Sequence, residues 1–213
     1  MSARRNKITE ILSEVVPSYY PDAKFKKLDA VWKPGAGYTT CGALPTYVAK
    51  GLGVAPTHAK DGLLDYGLIS MRNAAIRAGC WHHQSAFDRM LAKELNVPKR
   101  RPQPGDFYML CSGDKHETGC NRIGPVTPAE AAKQKPDERT AFIEHVGVIL
   151  NSGGTKWLTS DAGQSNGDLQ CAVQVWRDFD PATGFMTGER GREGKPMRRL
   201  CGWLDVDSYP FLT

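Results

Sequence analysis

The 213-residue sequence predicts an α+β fold in which N-terminal helices pack on a C-terminal antiparallel sheet. Three observations carry this. Apolar residues recur at helical spacing through about residue 95. After the proline-rich break "PKRRPQP" (98–104), segments rich in β-branched and aromatic residues alternate with Gly, Asn and Asp. A hydrophobic content of 40% in a chain of this length suffices for one sizeable core. The expectation is therefore one domain over 1–213, with insertions near 111–140 and 180–199.

Taken in order, Ile8, Ile11, Leu12, Val15 and Val16 predict a helix over 6–16 that ends at Pro17. The loop "WKPGAGYTT" (32–40) then leads to a helix beginning around Cys41, with Thr39 or Thr40 as its N-cap. Leu64, Leu68, Met71, Ala75 and Ala78 predict a helix over 63–79, and Phe87, Met90, Leu91 and Leu95 another over 84–95. Between them, Trp81, His82 and His83 read as a helix junction packed on the core, with a wall of the substrate cleft as the alternative. Strands are predicted at 105–110, 141–150, 156–161, 169–179 and 200–206. "TPAE" (127–130) has the form of a capping box with proline at the first helical position, which predicts a short surface helix in the first insertion. The second insertion, rich in Gly and charge, reads as a long hairpin connection or flap. The C-terminal "CGWLDVDSYPF" closes the sheet, with Trp203 and Val206 in the core.

A formal charge of +5 and a pI near 8.9 suit an anionic partner, but the excess is modest and its densest cluster, 98–104, reads as a solvated linker. No nucleic-acid-binding motif is present, and no apolar run is long enough to insert in a membrane. The basic N-terminus is not followed by the apolar core and cleavage site of a secretory signal. Among six cysteines, Cys111 and Cys120 flank the polar loop "CSGDKHETGC" and are spaced to close a local disulfide in an oxidising compartment, while Cys171 and Cys201 read as free buried thiols.

The stretch "GYTTCGALPTYVAKGLG" (37–53) puts Cys41 at a helix start, where unpaired N–H groups and the helix dipole stabilise a thiolate. A buried structural thiol is the competing reading. In "EHVGVILN", His145 interrupts a β-branched strand, and Gly147 on the same face leaves space beside the imidazole into which a thiol would fit. A core histidine bonded to a carbonyl is the alternative there. If the turn "NSGGT" has a three-residue loop (152–154), Asn151 pairs with Thr155 and His145 lies directly opposite Asp161, which would then orient the ring. A four-residue loop turns Asp161 away and leaves Gln164 or Asn166 as the orienting group.

A cysteine at a helix start, then "PQPGDFYML", then "HVGVIL", then a polar residue one strand on, resembles the NlpC-type and CHAP branches of the papain-like cysteine peptidases and amidases. The resemblance covers about 125 residues, from Tyr38 to Asp161, and rests on the order and spacing of short motifs. It implies a papain-like fold, Cys41 as nucleophile, His145 as general base, Asp161 as the third polar residue and Tyr38 near the oxyanion site. The implied substrate is an amide bond in the stem peptides of bacterial peptidoglycan, and no cofactor or metal is implied. Together with the absence of a signal, it looks like an antibacterial effector made in the cytoplasm and delivered to the periplasm of a target bacterium by a type VI secretion machine, with a cognate immunity protein as partner; a phage lysin would be another unsignalled wall hydrolase. Two departures from the family stand out: Pro45, expected at the fourth or fifth helical position, and the long insertion before the histidine strand.

Two further functions compete. A papain-like acyltransferase or protein deamidase would use the same acyl-enzyme. A zinc-stabilised binding module would draw on Cys80, His82 and His83 or on Cys111, His116 and Cys120, although neither set has paired Cys-x-x-Cys spacing.

Overall fold

The computed structural model describes residues 1–32, 40–54, 67–84, 100–112, 143–166, 169–181, 184–187 and 198–210. Tyr38, His116, Cys120, the capping box at 127–130 and the expected helix over 84–95 beyond Gln84 lie outside the described residues.

Helix α1 (Ala3–Ser13) starts at Ser2, whose hydroxyl accepts the Arg5 N–H, and buries Ile8, Ile11 and Leu12. It stops at Ser13 rather than Val16, yet Val15 and Val16 remain buried in the turn that follows. The short strand β1 (Ser18–Tyr19) and the helix α2 (Ala23–Trp32) come next, in a stretch the sequence reading left unassigned. Phe25 and Leu28, one helical turn apart, are the buried anchors of α2. Helices α3 (Ala43–Gly51) and α4 (Leu68–Arg77) complete the described helices. Gly79, at a φ of 72° that only glycine adopts without strain, ends the α4 region. Trp81–His83 then run along the sheet as its edge strand β2, not as the expected helix junction.

The remaining strands are β3 (Phe107–Ser112), β4 (Ile143–Asn151), β5 (Lys156–Asn166), β6 (Leu169–Phe179), β7 (Phe185–Thr187) and β8 (Arg198–Leu204). All pairs are antiparallel, and the eight-stranded sheet has the order β1-β6-β5-β4-β3-β8-β2. Strand β7, within the stretch expected as a connection or flap, pairs with both β6 and β8. Hydrogen bonding therefore runs in a closed circuit through β6, β5, β4, β3, β8 and β7, which removes the free edges those strands would otherwise expose. The mixed helical and antiparallel architecture is α+β.

Alternation along the strands separates two cores. Phe107, Met109, Val146 and Val148 face the helices and pack with Ile8, Leu28, Leu44, Val48 and Met71. Tyr108, Leu110, Ile149, Trp157, Phe179, Met186, Leu200 and Trp203 fill the side enclosed by the circuit. Residues 102–106 turn the chain into β3: the Gln103 N–H donates to Asp106 Oδ2 at 2.7 Å, and the Gly105 N–H donates to the Ile149 carbonyl at 2.7 Å. A Cβ on Gly105, whose φ is +96°, would press on Ile8 at 3.2 Å, so glycine lets this turn lie against α1.

The disulfide suggested between Cys111 and Cys120 does not form, because Cys111 is a buried thiol outside any disulfide, as are Cys80 and Cys171. Cys201, expected to be free, is disulfide-bonded, and its partner is not among the other described cysteines, all of which are thiols. Among the described residues no helix is long and apolar enough to cross a membrane.

Candidate active site

Cys41 lies in the turn just ahead of α3. The N-cap is Gly42, with no side-chain cap bond, so Thr40 does not cap the helix as expected, and Thr39 lies outside the described residues. Thr40 contributes its carbonyl instead, accepting the Ala43 N–H at 3.0 Å, and the first intrahelical bond runs from the Thr46 N–H to the Gly42 carbonyl. Pro45 is consequently the third helical residue, not the fourth or fifth. Its missing N–H falls among those that have no intrahelical acceptor in any helix, so it leaves the start of α3 intact.

Strand β4 brings His145 to this point. Its ladder with β5 pairs Val148 with Ser160, Ile149 with Thr159 and, past an irregularity, Asn151 with Leu158. The expected pairing of Asn151 with Thr155 is therefore not formed, and His145 is not directly opposite Asp161. The true register differs by two residues, and carried one step on from Val148 and Ser160 it sets Asp161 across from Gly147. An even offset preserves the face, so Asp161 and His145 still meet diagonally.

The imidazole Nε2 lies 2.5 Å from Asp161 Oδ1, with His145 2% exposed and Asp161 fully buried. The space left by Gly147 is filled by the Asp161 carboxylate and the Tyr108 ring, not by a thiol: a Cβ there would stand 2.7 Å from Tyr108 Cε1. With Nε2 engaged by Asp161, Nδ1 is the ring nitrogen left to act on the Cys41 thiol. The structure thus brings Cys41, His145 and Asp161 together. Gln164, the alternative orienting residue, is half-buried beyond a register shift in β5, where it pairs with Cys171 and makes no hydrogen bond to His145. Asn166 ends β5 opposite Leu169.

Cys41 sits where β4 and β5 part. Its sulfur receives the N–H groups of Val146 and Gly42. On the other side Gly163 of β5, at a φ of +70°, backs the turn so closely that a Cβ would stand 2.7 Å from the Cys41 nitrogen and 3.0 Å from the Thr40 carbonyl carbon. Burial pushes the thiol up, but His145 and the two N–H groups more than offset it, and the group lies below its ordinary value. Burial likewise pushes the imidazole down, and Asp161 followed by Cys41 overcomes it, so His145 lies above its ordinary value. The opposite shifts favour a thiolate–imidazolium pair.

Three residues that sequence reading missed complete the site. Both oxygens of Asp161 are used: Oδ1 accepts from His145 and from the Tyr108 hydroxyl at 2.5 Å, and Oδ2 accepts from the Thr159 hydroxyl at 2.5 Å and faces Arg177 Nη2 at 3.3 Å. Arg177 Nε donates to Thr159 Oγ1 at 3.2 Å, and its guanidinium carbon lies 5.9 Å from the Tyr108 ring centre. Burial would raise the Asp161 carboxyl, but Arg177, His145 and Thr159 hold it well below the usual carboxylate range. The Tyr108 phenol, pushed well above its ordinary value chiefly by burial, stays a proton donor to Asp161. The available signal was positional: Thr159 and Asp161 share a face of β5, and Arg177 and Phe179 share a face of β6, so "WRDF" carried a cation on the face of a core aromatic.

Among the described residues no three His, Cys, Asp or Glu side chains converge to hold a metal ion. His82 is instead 3.9 Å from Asp205 Oδ2 and packs against Trp203 with ring centres 5.4 Å apart and planes tilted by 43°, while the buried Cys80 thiol donates to the Ala75 carbonyl. Compared with known proteins, the chain matches no protein family, no curated protein and no solved structure.

Proposed function

We propose that this chain is a cysteine amidase or endopeptidase of papain-like type in which Cys41 is the nucleophile, His145 the proton carrier and Asp161 the residue that orients the ring. One observation carries the reading: a half-buried thiol at a helix start faces an imidazole whose far nitrogen is held by a fully buried carboxylate. In this chemistry the thiolate attacks the carbonyl carbon, the imidazolium Nδ1–H protonates the departing amine, and an acyl-enzyme forms on Cys41. A water then gives its proton to the neutral imidazole and releases the acid. The Cys41 N–H, at the turn before α3, is the group available to bind the tetrahedral oxyanion.

The proposed substrate is an amide bond of peptidoglycan stem peptides. The motif resemblance of 38–161 supports it, as does the basic balance of the chain, which suits an anionic wall. The disulfide at Cys201 suits work in an oxidising space such as a target cell's periplasm. Delivery by a secretion machine and inhibition by a cognate immunity protein seated over Cys41 complete the reading.

Incubating peptidoglycan sacculi with the wild type, Cys41→Ala and His145→Ala, and analysing the soluble muropeptides by mass spectrometry, tests it. The expected outcome is new fragments from the wild type alone, with both variants folded and inactive. Sacculi left intact by the folded wild type would remove this substrate.

A further inference from the structure

The geometry points to Arg177 as a positioning residue that acts on Cys41 and His145 through Asp161, serving as the fixed counter-cation that lets His145 give up and regain its proton while the carboxylate stays ionised. This rests on the reading of Cys41 and His145 as the reacting pair.

A fully buried carboxylate needs a positive partner. Were His145 the only one, the imidazole would be bound to remain protonated: losing its proton would strand a bare carboxylate inside the fold. That would suit a static ion pair and not a group that must cycle between charged and neutral forms. Arg177, 1% exposed and 3.3 Å from Asp161 Oδ2, supplies a charge that does not titrate. Its two contacts divide the work by oxygen atom. Oδ2 is shared by Arg177 and Thr159, which leaves Oδ1 to His145 and Tyr108. Thr159 is itself fixed by the Arg177 Nε–H, so the guanidinium sets both the charge and the tilt of the carboxylate.

Among the described residues the carboxylate is met from four elements. Tyr108 faces the pair from β3, His145 from β4 and Thr159 from β5, while Cys41 approaches from the turn before α3. The side enclosed by the strand circuit adds apolar residues, Met186, Leu200 and Trp203 among them. Removing the positive charge while keeping a donor stabilises the remaining cation, the imidazolium, and destabilises the thiolate. Both limits of the pH window in which the thiolate–imidazolium pair exists then move to higher pH.

The test is the rate of Cys41 alkylation by iodoacetamide between pH 4 and 10, in which the thiolate displaces iodide, for the wild type, Arg177→Gln and Arg177→Lys. The wild type is expected to show a reactive plateau below the range of an ordinary thiol. In Arg177→Gln the imidazole's proton affinity is expected to rise roughly tenfold, moving the upper limit by about one pH unit, while Arg177→Lys, which keeps the charge, stays near the wild type. A plateau present in the wild type and unmoved in a folded Arg177→Gln protein overturns the role of Arg177 alone. A wild type with no plateau overturns the reacting pair, and Arg177 with it.

Should Arg177→Gln not fold, Asp161→Asn and the double variant Asp161→Asn/Arg177→Gln carry the test. The upper limit in the single variant is expected below that of the double, because there an uncompensated guanidinium stands near the imidazole. Equal limits in the two would overturn the proposal.

Discussion

Arg5 and Arg177 are both buried against carboxylates, but the two clusters differ in what else they contain. Arg5 meets Asp106 at 2.8 Å, Asp205 at 3.0 Å and Asp207 at 2.6 Å, and donates to the Pro104 carbonyl. It ties α1 to the turn before β3 and to the chain after β8, and Asp207 reaches solvent. Arg177 meets one carboxylate, fully enclosed, whose other oxygen holds an imidazole. The first cluster is a staple between distant parts of the chain. In the proposed chemistry the second applies a similar ion pair to a carboxylate that must stay ionised while its neighbour changes charge. An ion pair therefore reveals its role less by its distance than by whether a third, titratable group shares the acid.

The largest expected effect separates the two clusters by stability. Asp161→Asn leaves a buried guanidinium uncompensated and is expected to cost about 3–5 kcal/mol in urea unfolding, whereas Arg5→Met costs less, since Asp205 and Asp207 retain access to water and the buried Asp106, already raised to about 6, takes up a proton once Arg5 is gone. Arg5→Met should also leave the Cys41 alkylation profile unchanged. Equal losses for the two variants, or a moved profile in Arg5→Met, would erase the distinction.

The next effect is one of sign. Burial raises the Asp106 carboxyl to about 6 against the pull of Arg5. An acid whose folded value lies above its unfolded one holds its proton more tightly in the folded state. Its contribution thus falls as pH rises from about 4 to 6, by on the order of 3 kcal/mol at about 1.4 kcal/mol per pH unit. Asp161, held low, contributes in the opposite sense: its stabilisation is full above the unfolded carboxyl range and is lost as pH falls through its folded value. Urea unfolding of Asp106→Asn between pH 4 and 6 should lose the downward component, and an unchanged slope would contradict the assignment.

A smaller effect on stability, with a large one on activity, is expected at Gly163. An alanine there would carry left-handed strain of about 1–2 kcal/mol and press on the Cys41 nitrogen, a displacement of the kind that costs roughly a hundredfold in rate. Gly163→Ala should therefore unfold measurably earlier than the wild type, because backbone and not a flexible side chain must give way, and the folded protein should cleave sacculi far more slowly. Full activity would mean that the Cys41 turn does not depend on β5.

Periodicity made much of this legible. The five long strands and the segments bearing Cys41 and His145 read directly from the chain, because alternation and apolar spacing are local properties. Two-residue β1, three-residue β2 and three-residue β7 were not legible, since strands so short carry no period and form only because a neighbouring strand offers unpaired backbone groups. The diagonal meeting of His145 and Asp161 survived a wrong register because the error was even. Gly147 was recognised as the source of space beside the imidazole, but its occupants, Asp161 and Tyr108, come from β5 and β3, and such cross-strand neighbours depend on ladder register. Arg177 was missed because a charged residue in a strand reads as solvent-facing unless the partner that neutralises it is known.

The most direct test of the account is the rate of iodoacetamide alkylation of Cys41 at pH 6, read by peptide mass spectrometry in the wild type and in His145→Ala. The account predicts that the wild-type thiol reacts at least roughly tenfold faster, while Cys80 and Cys111, whose thiols burial pushes up to about 12, remain unmodified in both. Equal rates at Cys41 in two folded proteins would show that His145 does not activate the thiol, and the proposed chemistry would fall with it.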